Sequence, residues 1–204
     1  MTTPLTVDVL IAGGGPCGLM LANELGRRNI SCLLVDPKPG TAFNPQANAT
    51  QARTMEHFRR LGFADEIRRM GLPPDHPTDI AYLTRFAGTE LARLRLPTAA
   101  AAPQAIKNMS GSWSAAELPH RVSQKYVEVC LHRHAQQHPS VAMRYGWQLQ
   151  QFTDTGDGIQ ALVASVDGQP SMVTGIYPQG VRQVYKVSFS DGRATECCAE
   201  HLWR

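Results

Sequence analysis

The sequence predicts an α/β protein: a βαβ unit at the N-terminus with an antiparallel β-meander added after it. Three observations carry that expectation. A strand-sized apolar run at residues 7–12 ends at Gly13-Gly14-Gly15 and gives way to a helical pattern with Leu19, Met20, Ala22 and Leu25 on one face. A second apolar run, residues 30–35, ends at Asp36-Pro37, so strand, helix and strand fill the 30 residues from 7 to 36, the size of a parallel crossover unit. After residue 142 the apolar spacing changes from helical to alternating.

Taken in order, the first helix stops near Gly26-Arg27-Arg28-Asn29, with arginines in its last turn and Asn29 as a cap. Residues 37–48 hold three prolines and read as a loop. A helix over 49–61 places Met55, Phe58 and Leu61 on one face and ends at Gly62, and a short helix over 64–70 follows. Residues 71–79 are loop, and strands at 80–86 and 91–96 flank Ala87-Gly88-Thr89 as a hairpin. Residues 97–119 read as irregular, and residues 123–137 as a helix bearing Val127, Cys130 and Leu131. Strands are expected at 142–152, 159–166 and 184–189, with Asp157-Gly158 as a turn and 167–181 as a longer excursion.

Composition excludes several classes. The chain of 204 residues has 20 basic and 17 acidic side chains, 11 and 9 of them in the first 102 residues, so no basic stripe suited to nucleic acid exists. No apolar run approaches the ~20 residues of a membrane span. The opening Met1-Thr2-Thr3-Pro4-Leu5 lacks the basic and apolar regions of a secretory signal. Five cysteines form an odd set without C-x-x-C spacing, which argues against a disulfide framework or zinc site and for the cytoplasm. His134 and His138 share a helical face, but Ala135 stands where a zinc-protease helix has glutamate, so no metal is expected. The pairs Arg27-Arg28, Arg59-Arg60 and Arg68-Arg69 read as solvated charges near helix C-termini.

The chemistry lies in Gly13-x-Gly15-x-x-Gly18. It follows a strand, opens a helix, and has Asp36 placed 18 residues beyond its last glycine at the end of the second strand. That context fits a dinucleotide: Gly13 for the tight turn, Gly15 for close approach of a pyrophosphate to the backbone, Gly18 for helix–strand packing, and Asp36 for ribose hydroxyls. The glycines do not decide between NAD and FAD.

Two further segments bear on that choice. The stretch Gln46-Ala47, Gln51-Ala52-Arg53-Thr54-Met55-Glu56-His57-Phe58-Arg59-Arg60-Leu61-Gly62 resembles a helix of the single-component FAD-dependent aromatic hydroxylases, the phenol and para-hydroxybenzoate hydroxylase family. Pro119-His120-Arg121-Val122-Ser123-Gln124-Lys125-Tyr126-Val127-Glu128 is similar to the segment opening their second FAD-contacting helix. The resemblance runs from Val7 to Leu202 and implies a Rossmann-like FAD-binding domain over residues 1–204, with its βαβ unit at 7–36.

By position, the resemblance implies that Gly13, Gly15, Gly18 and Asp36 hold the AMP half of FAD and that Gln124 bonds near the flavin. Gln46 stands where many relatives place a basic residue against the pyrophosphate, which implies a weaker or indirect contact. Arg53 is carried over either as a cofactor contact or as a residue tying its helix to the glycine turn. In the family, NAD(P)H reduces the flavin, O2 is consumed and a small aromatic substrate is hydroxylated. The Gly-x-Asp-Gly and later Gly-Asp motifs of those relatives do not occur after Leu202, so the expectation is a domain incomplete at its C-terminus, without a substrate domain and inactive alone. Asp167-Gly168 and Asp191-Gly192 read as hairpin turns instead. Apolar surface around Trp147, Leu149 and Trp203 is expected to lie uncovered. No catalytic acid or base is named. Two alternatives stay open: a non-catalytic module binding FAD or a partner, and an NAD(P)-dependent dehydrogenase built on the same glycines.

Overall fold

The structure is a computed structural model that describes residues 5–44, 46–111 and 114–166, together with the backbone of strands 170–176, 184–188 and 194–198. The first apolar run is two strands, not one: β1 (Leu5–Val7) and β2 (Val9–Ala12). Asp8 makes the break. Its carboxylate accepts the Ser31 N–H at 2.9 Å and hydroxyl at 2.6 Å, while the N–H groups of Asp8 and Val9 both donate to the Ser31 carbonyl at 3.1 Å. The chain thereby steps from one sheet to another within a single residue.

β2 enters a three-stranded parallel sheet. The helix α1 (Pro16–Gly26) crosses to β3 (Cys32–Asp36), which pairs in parallel with β2 on one side and with β8 (Val141–Tyr145) on the other. β1 joins a second sheet of order β1-β11-β10-β9, where β9 is Trp147–Asp154, β10 is Ile159–Ser165 and β11 is Pro170–Ile176. The expected single strand over 142–152 is therefore divided between the sheets at Gly146. That residue takes φ = +76°, a conformation cheap only for glycine, and its N–H bonds the Lys38 carbonyl at 2.8 Å. Strand β11 occupies part of the stretch expected to be an excursion, because its backbone completes the ladder between β1 and β10.

All five residues of β3 are buried, and their alternation serves two cores. Cys32 and Leu34 face the helical side, with Leu19, Met55, Phe58, Ile67, Cys130 and Leu131; Leu33 and Val35 face the second sheet, with Val7, Ala161 and Val163. Trp147 and Leu149 pack against this second core, which corrects the expectation that they lie uncovered. Trp203 lies outside the described residues.

The remaining elements cap these layers. α2 (Ala52–Leu61) starts three residues later than expected because Ala49–Thr50 form β4, paired antiparallel with β7 (His120–Arg121). α3 is Ala64–Arg69, and β5 (Ile80–Leu83) and β6 (Glu90–Leu94) form the expected hairpin. A short helix, α4 (Ala102–Asn108), lies in the stretch expected to be irregular: Pro103 stands in its first turn, where a missing N–H costs nothing, and Ala102 is buried. α5 is Gln124–Ala135. β12 (Val184–Ser188) pairs antiparallel with β13 (Ala194–Cys198). Asp167-Gly168 and Asp191-Gly192 lie outside the described residues, between strands that pair antiparallel.

The three arginine pairs are not simply solvated, since each has at least one member in an ion pair. Arg27 and Arg28 on α1 and Arg60 on α2 converge on Glu24, and the half-buried Arg68 bonds the Glu117 carboxylate at 2.6 Å and the Leu118 carbonyl at 2.8 Å. Burial alone would raise the Glu24 carboxyl, but the hydrogen bonds from Arg28, Arg27 and Arg60 outweigh it and hold it at about 2. Among the described residues no helix is long and apolar enough to cross a membrane.

Candidate functional site

The site is built where β2 and β3 end and α1 begins. The Gly13 N–H donates to the Val35 carbonyl at 2.8 Å, so the strand pairing continues into the turn. Gly13 then takes φ = +119°, which reverses the chain at a conformation that side chains avoid. A Cβ on Gly18 would stand 1.9 Å from the Gly13 carbonyl oxygen, so helix and turn approach as closely as the sequence argument requires. A Cβ on Gly15 would meet nothing within 4 Å. It points into open space, where a ligand can come against bare backbone.

The end of α1 suits an anion. Gly15 is its N-cap, no side chain caps it, and its first turn has no acidic residue. The first helical N–H bond is Leu19 to the Gly15 carbonyl, at 2.9 Å. The preceding amides have no intrahelical acceptor, and the helix dipole adds partial positive charge to them.

Asp36 is buried beside this end. One carboxylate oxygen accepts the Gly14 N–H at 2.6 Å and the other accepts the Lys38 N–H at 2.8 Å. The acid thus fixes both the glycine turn and the start of the following loop, and each oxygen keeps a further lone pair. Tyr145, at the end of β8, closes the same corner. Its hydroxyl donates to the Gly14 carbonyl at 3.3 Å, and a Cβ on Gly14 would press on its ring at 3.0 Å. Burial, with the charges of Asp36 and Glu128, pushes the Tyr145 phenol up to about 12, so it stays a neutral donor.

The loop over residues 37–48 is held by α5. The Gln46 N–H donates to the Gln124 side-chain oxygen at 3.2 Å, and the Gln124 N–H returns a bond to Ala47 at 2.9 Å. Gln124 in turn donates to Glu128 at 2.7 Å, and the buried Glu128 accepts the Ala42 N–H at 2.6 Å. A cavity of about 610 Å³ runs from Pro16 and Cys17 at the open end of α1, past Ala47, Gln51 and Gln124, between α1, α2 and α5.

Of the residues singled out in the sequence, Gly13, Gly15, Gly18 and Asp36 come together in one turn, and Gln46 and Gln124 meet each other across the loop. Arg53 does not join them: its guanidinium is exposed and paired with Glu56 one turn along its own helix, at 2.9 Å. Sequence reasoning missed Gly14, Glu128 and Tyr145. Glu128 had a signal, since it lies four residues after Gln124 on one helix face. Tyr145 had none, because its position depends on β8 joining the parallel sheet.

A parallel sheet whose first crossover carries an uncapped helix end beside a buried acid defines a dinucleotide-binding α/β protein. The chain belongs to the family described as FAD binding domain, which matches residues 6–177. It is 27% identical over 153 residues to an FAD-dependent monooxygenase, apdD, of Emericella nidulans, which covers 74% of this chain and 24% of that protein. It is 29% identical over 206 residues to the aklavinone 12-hydroxylase RdmE of Streptomyces purpurascens, covering 96% of this chain and 37% of the relative. Among solved structures it resembles the rebeccamycin biosynthetic enzyme RebC in complex with 7-carboxy-K252c, with a TM-score of 0.72 and 31% identity over 86% of this chain and 32% of the other. The flavin-dependent monooxygenase PieE in complex with FAD and substrate gives 0.69 and 28% over 86% and 30%. The chain thus spans roughly a quarter to a third of the length of these proteins.

Proposed function

We propose that this chain is the FAD-binding part of a flavin-dependent monooxygenase that hydroxylates phenolic or aromatic substrates with NAD(P)H and O2. The observation that carries the reading is the uncapped, acid-free N-terminus of α1, opening beside Gly15 where no side chain intrudes. Names of related proteins support the substrate class: a phenol 2-monooxygenase of Pseudomonas is 34% identical over 92 residues, and a 6-methylpretetramide 4-monooxygenase of Streptomyces rimosus is 38% identical over 97.

The residues present fit the cofactor. The amides at the head of α1 and the bare backbone of Gly15 would hold the pyrophosphate. Asp36 would accept from the adenosine ribose through its remaining lone pairs, while its bonds to Gly14 and Lys38 keep it aimed. Gln124, supported by Glu128, sets the position of the loop backbone at Gln46, and the mostly apolar walls of the cavity lower the local dielectric around whatever lies in it. Bound FAD supplies the redox chemistry, accepting electrons from NAD(P)H and passing them to O2. This chain's own part is binding, orientation and exclusion of water.

Calorimetric titration of the 204-residue chain with FAD, FMN, NAD and NADP tests the reading. One FAD per chain, bound more tightly than NAD or NADP, with no measurable FMN binding is expected: FMN lacks the adenosine half that this site would hold, and membership of the FAD-binding family supports the preference over NAD(P). Equal binding of NAD and FAD, or no binding of either, contradicts it. The substrate class is checked by phenol-stimulated NAD(P)H oxidation in a polypeptide of the relatives' full length that carries this segment; indifference to phenols contradicts that part.

A further inference from the structure

The helix that holds the cofactor loop carries a second cluster toward α3. Cys130 and His134 lie four residues apart on α5 and so share a face, and Glu66 of α3 stands opposite them. The Cys130 Sγ is 3.1 Å from Glu66 Oε1, the His134 Nε2 is 2.9 Å from Glu66 Oε2, and all three donor atoms lie within 4.8 Å of one another. From these positions we propose that Glu66, Cys130 and His134 form a site for a thiophilic divalent cation of the zinc class, joining α3 to α5.

The geometry is close to what such an ion needs. Zinc bonds of about 2.3 Å to sulfur and about 2.0–2.2 Å to nitrogen and oxygen put donor atoms roughly 3.2–3.8 Å apart in a tetrahedron. The three donors reach that spacing with shifts on the order of an ångström. One thiolate, one imidazole and one carboxylate make a mixed soft and borderline set, which favours zinc over magnesium or calcium. His134 is oriented by stacking on Phe63, with ring centroids 4.5 Å apart and planes 23° from parallel. Cys130 is buried, whereas Glu66 and His134 are each a quarter exposed, which leaves solvent access and room for a water as fourth ligand.

The charges also balance. Without an ion the Cys130 thiol donates its proton to Glu66 Oε1. Ion binding replaces the S–H bond with a metal–sulfur bond and releases that proton to solvent; it also replaces the Nε2–H bond from His134 to Glu66 with a metal–nitrogen bond, the displaced ring proton leaving to solvent and Nδ1 keeping or taking the one that remains. Thiolate and carboxylate together neutralise the 2+ charge. Arg133 also pairs with Glu66, through Oε1, and its side chain is 56% exposed. It competes for the carboxylate, yet it can stay on Oε1 while Oε2 turns to the ion. The sequence expectation of no metal rested on spacing along one segment, whereas this cluster joins residues 64 and 68 positions apart.

Anaerobic titration of the reduced 204-residue chain with Co2+, a spectroscopic stand-in for zinc, tests the site. One equivalent should bring the strong visible absorption of tetrahedral cobalt and a near-ultraviolet thiolate charge-transfer band, both erased by one equivalent of Zn2+. Cys130→Ser should abolish the charge-transfer band, His134→Gln should weaken binding about tenfold or more, and Cys17→Ser should change neither. Arg133→Gln should tighten binding several-fold by freeing Glu66. If Cys130→Ser does not fold, His134→Gln and Arg133→Gln, both at part-exposed positions, carry the test. No charge-transfer band, a band that survives Cys130→Ser, or binding unmoved by His134→Gln overturns the proposal.

Discussion

Strands β3 and β6 are both five residues long and both legible from their apolar content, yet they live in opposite surroundings. Every residue of β3 is buried, between helices on one side and the second sheet on the other. Every residue of β6 is exposed, and so is most of its hairpin, with Leu91 at 69% and Phe86 at the tip fully accessible. The hairpin is held by its ladder and by Arg93, which pairs with Glu90 and Asp79. The difference teaches that apolar content of strand length specifies a strand, while the energy it contributes depends on what covers it. The glycine turn after β2 is bonded to the covered strand at Val35 and Asp36, so its geometry rests on a core that the hairpin does not share.

Truncating the covered strand should have the largest effect. Leu34→Ala leaves a cavity against Leu19 and Phe58 and should cost about 2–5 kcal/mol in urea unfolding. Gly18→Ala comes next, at about 2–3 kcal/mol, because the new methyl meets a backbone carbonyl that can move only by opening the turn; a thermal melt reads it. Glu128→Ala leaves the Ala42 N–H and Gln124 without their partner and should cost about 1–3 kcal/mol, with weaker FAD binding, because the loop loses its anchor.

A smaller effect is expected from pH. His120 is buried with its Nε2 3.1 Å from the Met70 carbonyl, and burial holds its pKa below the ordinary 6.5. Below pH 6.5 the unfolded chain takes a proton that folded His120 resists, so stability should fall as pH drops through that value. Burial lowers His132 in the same direction. Glu24 and Glu66 are held below their ordinary 4.5, so their contribution is lost only at more acid pH. His120→Gln should flatten the melting temperature between pH 7 and 5.5; an unchanged slope would place the effect elsewhere. The smallest change belongs to the hairpin. Leu91→Ser should stay within about 0.5 kcal/mol of the parent, and a cost comparable to Leu34→Ala would break the contrast between the strands.

The βαβ unit, the glycine turn, α2, α5 and the hairpin were all legible in the sequence, because each is specified by local periodicity and by glycines at its ends. The split at Asp8 was not, since it depends on Ser31, which lies 23 residues away. Nor was the sheet change at Gly146, where the apolar alternation continues unbroken across the bend. At the site, the glycines and Asp36 were readable because their spacing carries the geometry. The bond between Gln46 and Gln124 runs through backbone and spans 78 residues, and the sequence named its partners without showing that they meet. Arg53 was named on resemblance, and its nearest acid, Glu56, holds it instead.

The central claim, that the open end of α1 beside Gly15 receives the pyrophosphate of FAD, is tested most directly with Gly15→Asp. Gly15 has φ = −80° and no neighbour for a Cβ, and aspartate is a favourable N-cap, so the variant should fold and melt at or slightly above the parent temperature. Its carboxylate would stand where the cofactor's anion belongs. At FAD concentrations near 100 times the parent's dissociation constant, the parent should gain about 2.7 kcal/mol and the variant almost none. A variant that folds and keeps the full FAD shift would contradict the account.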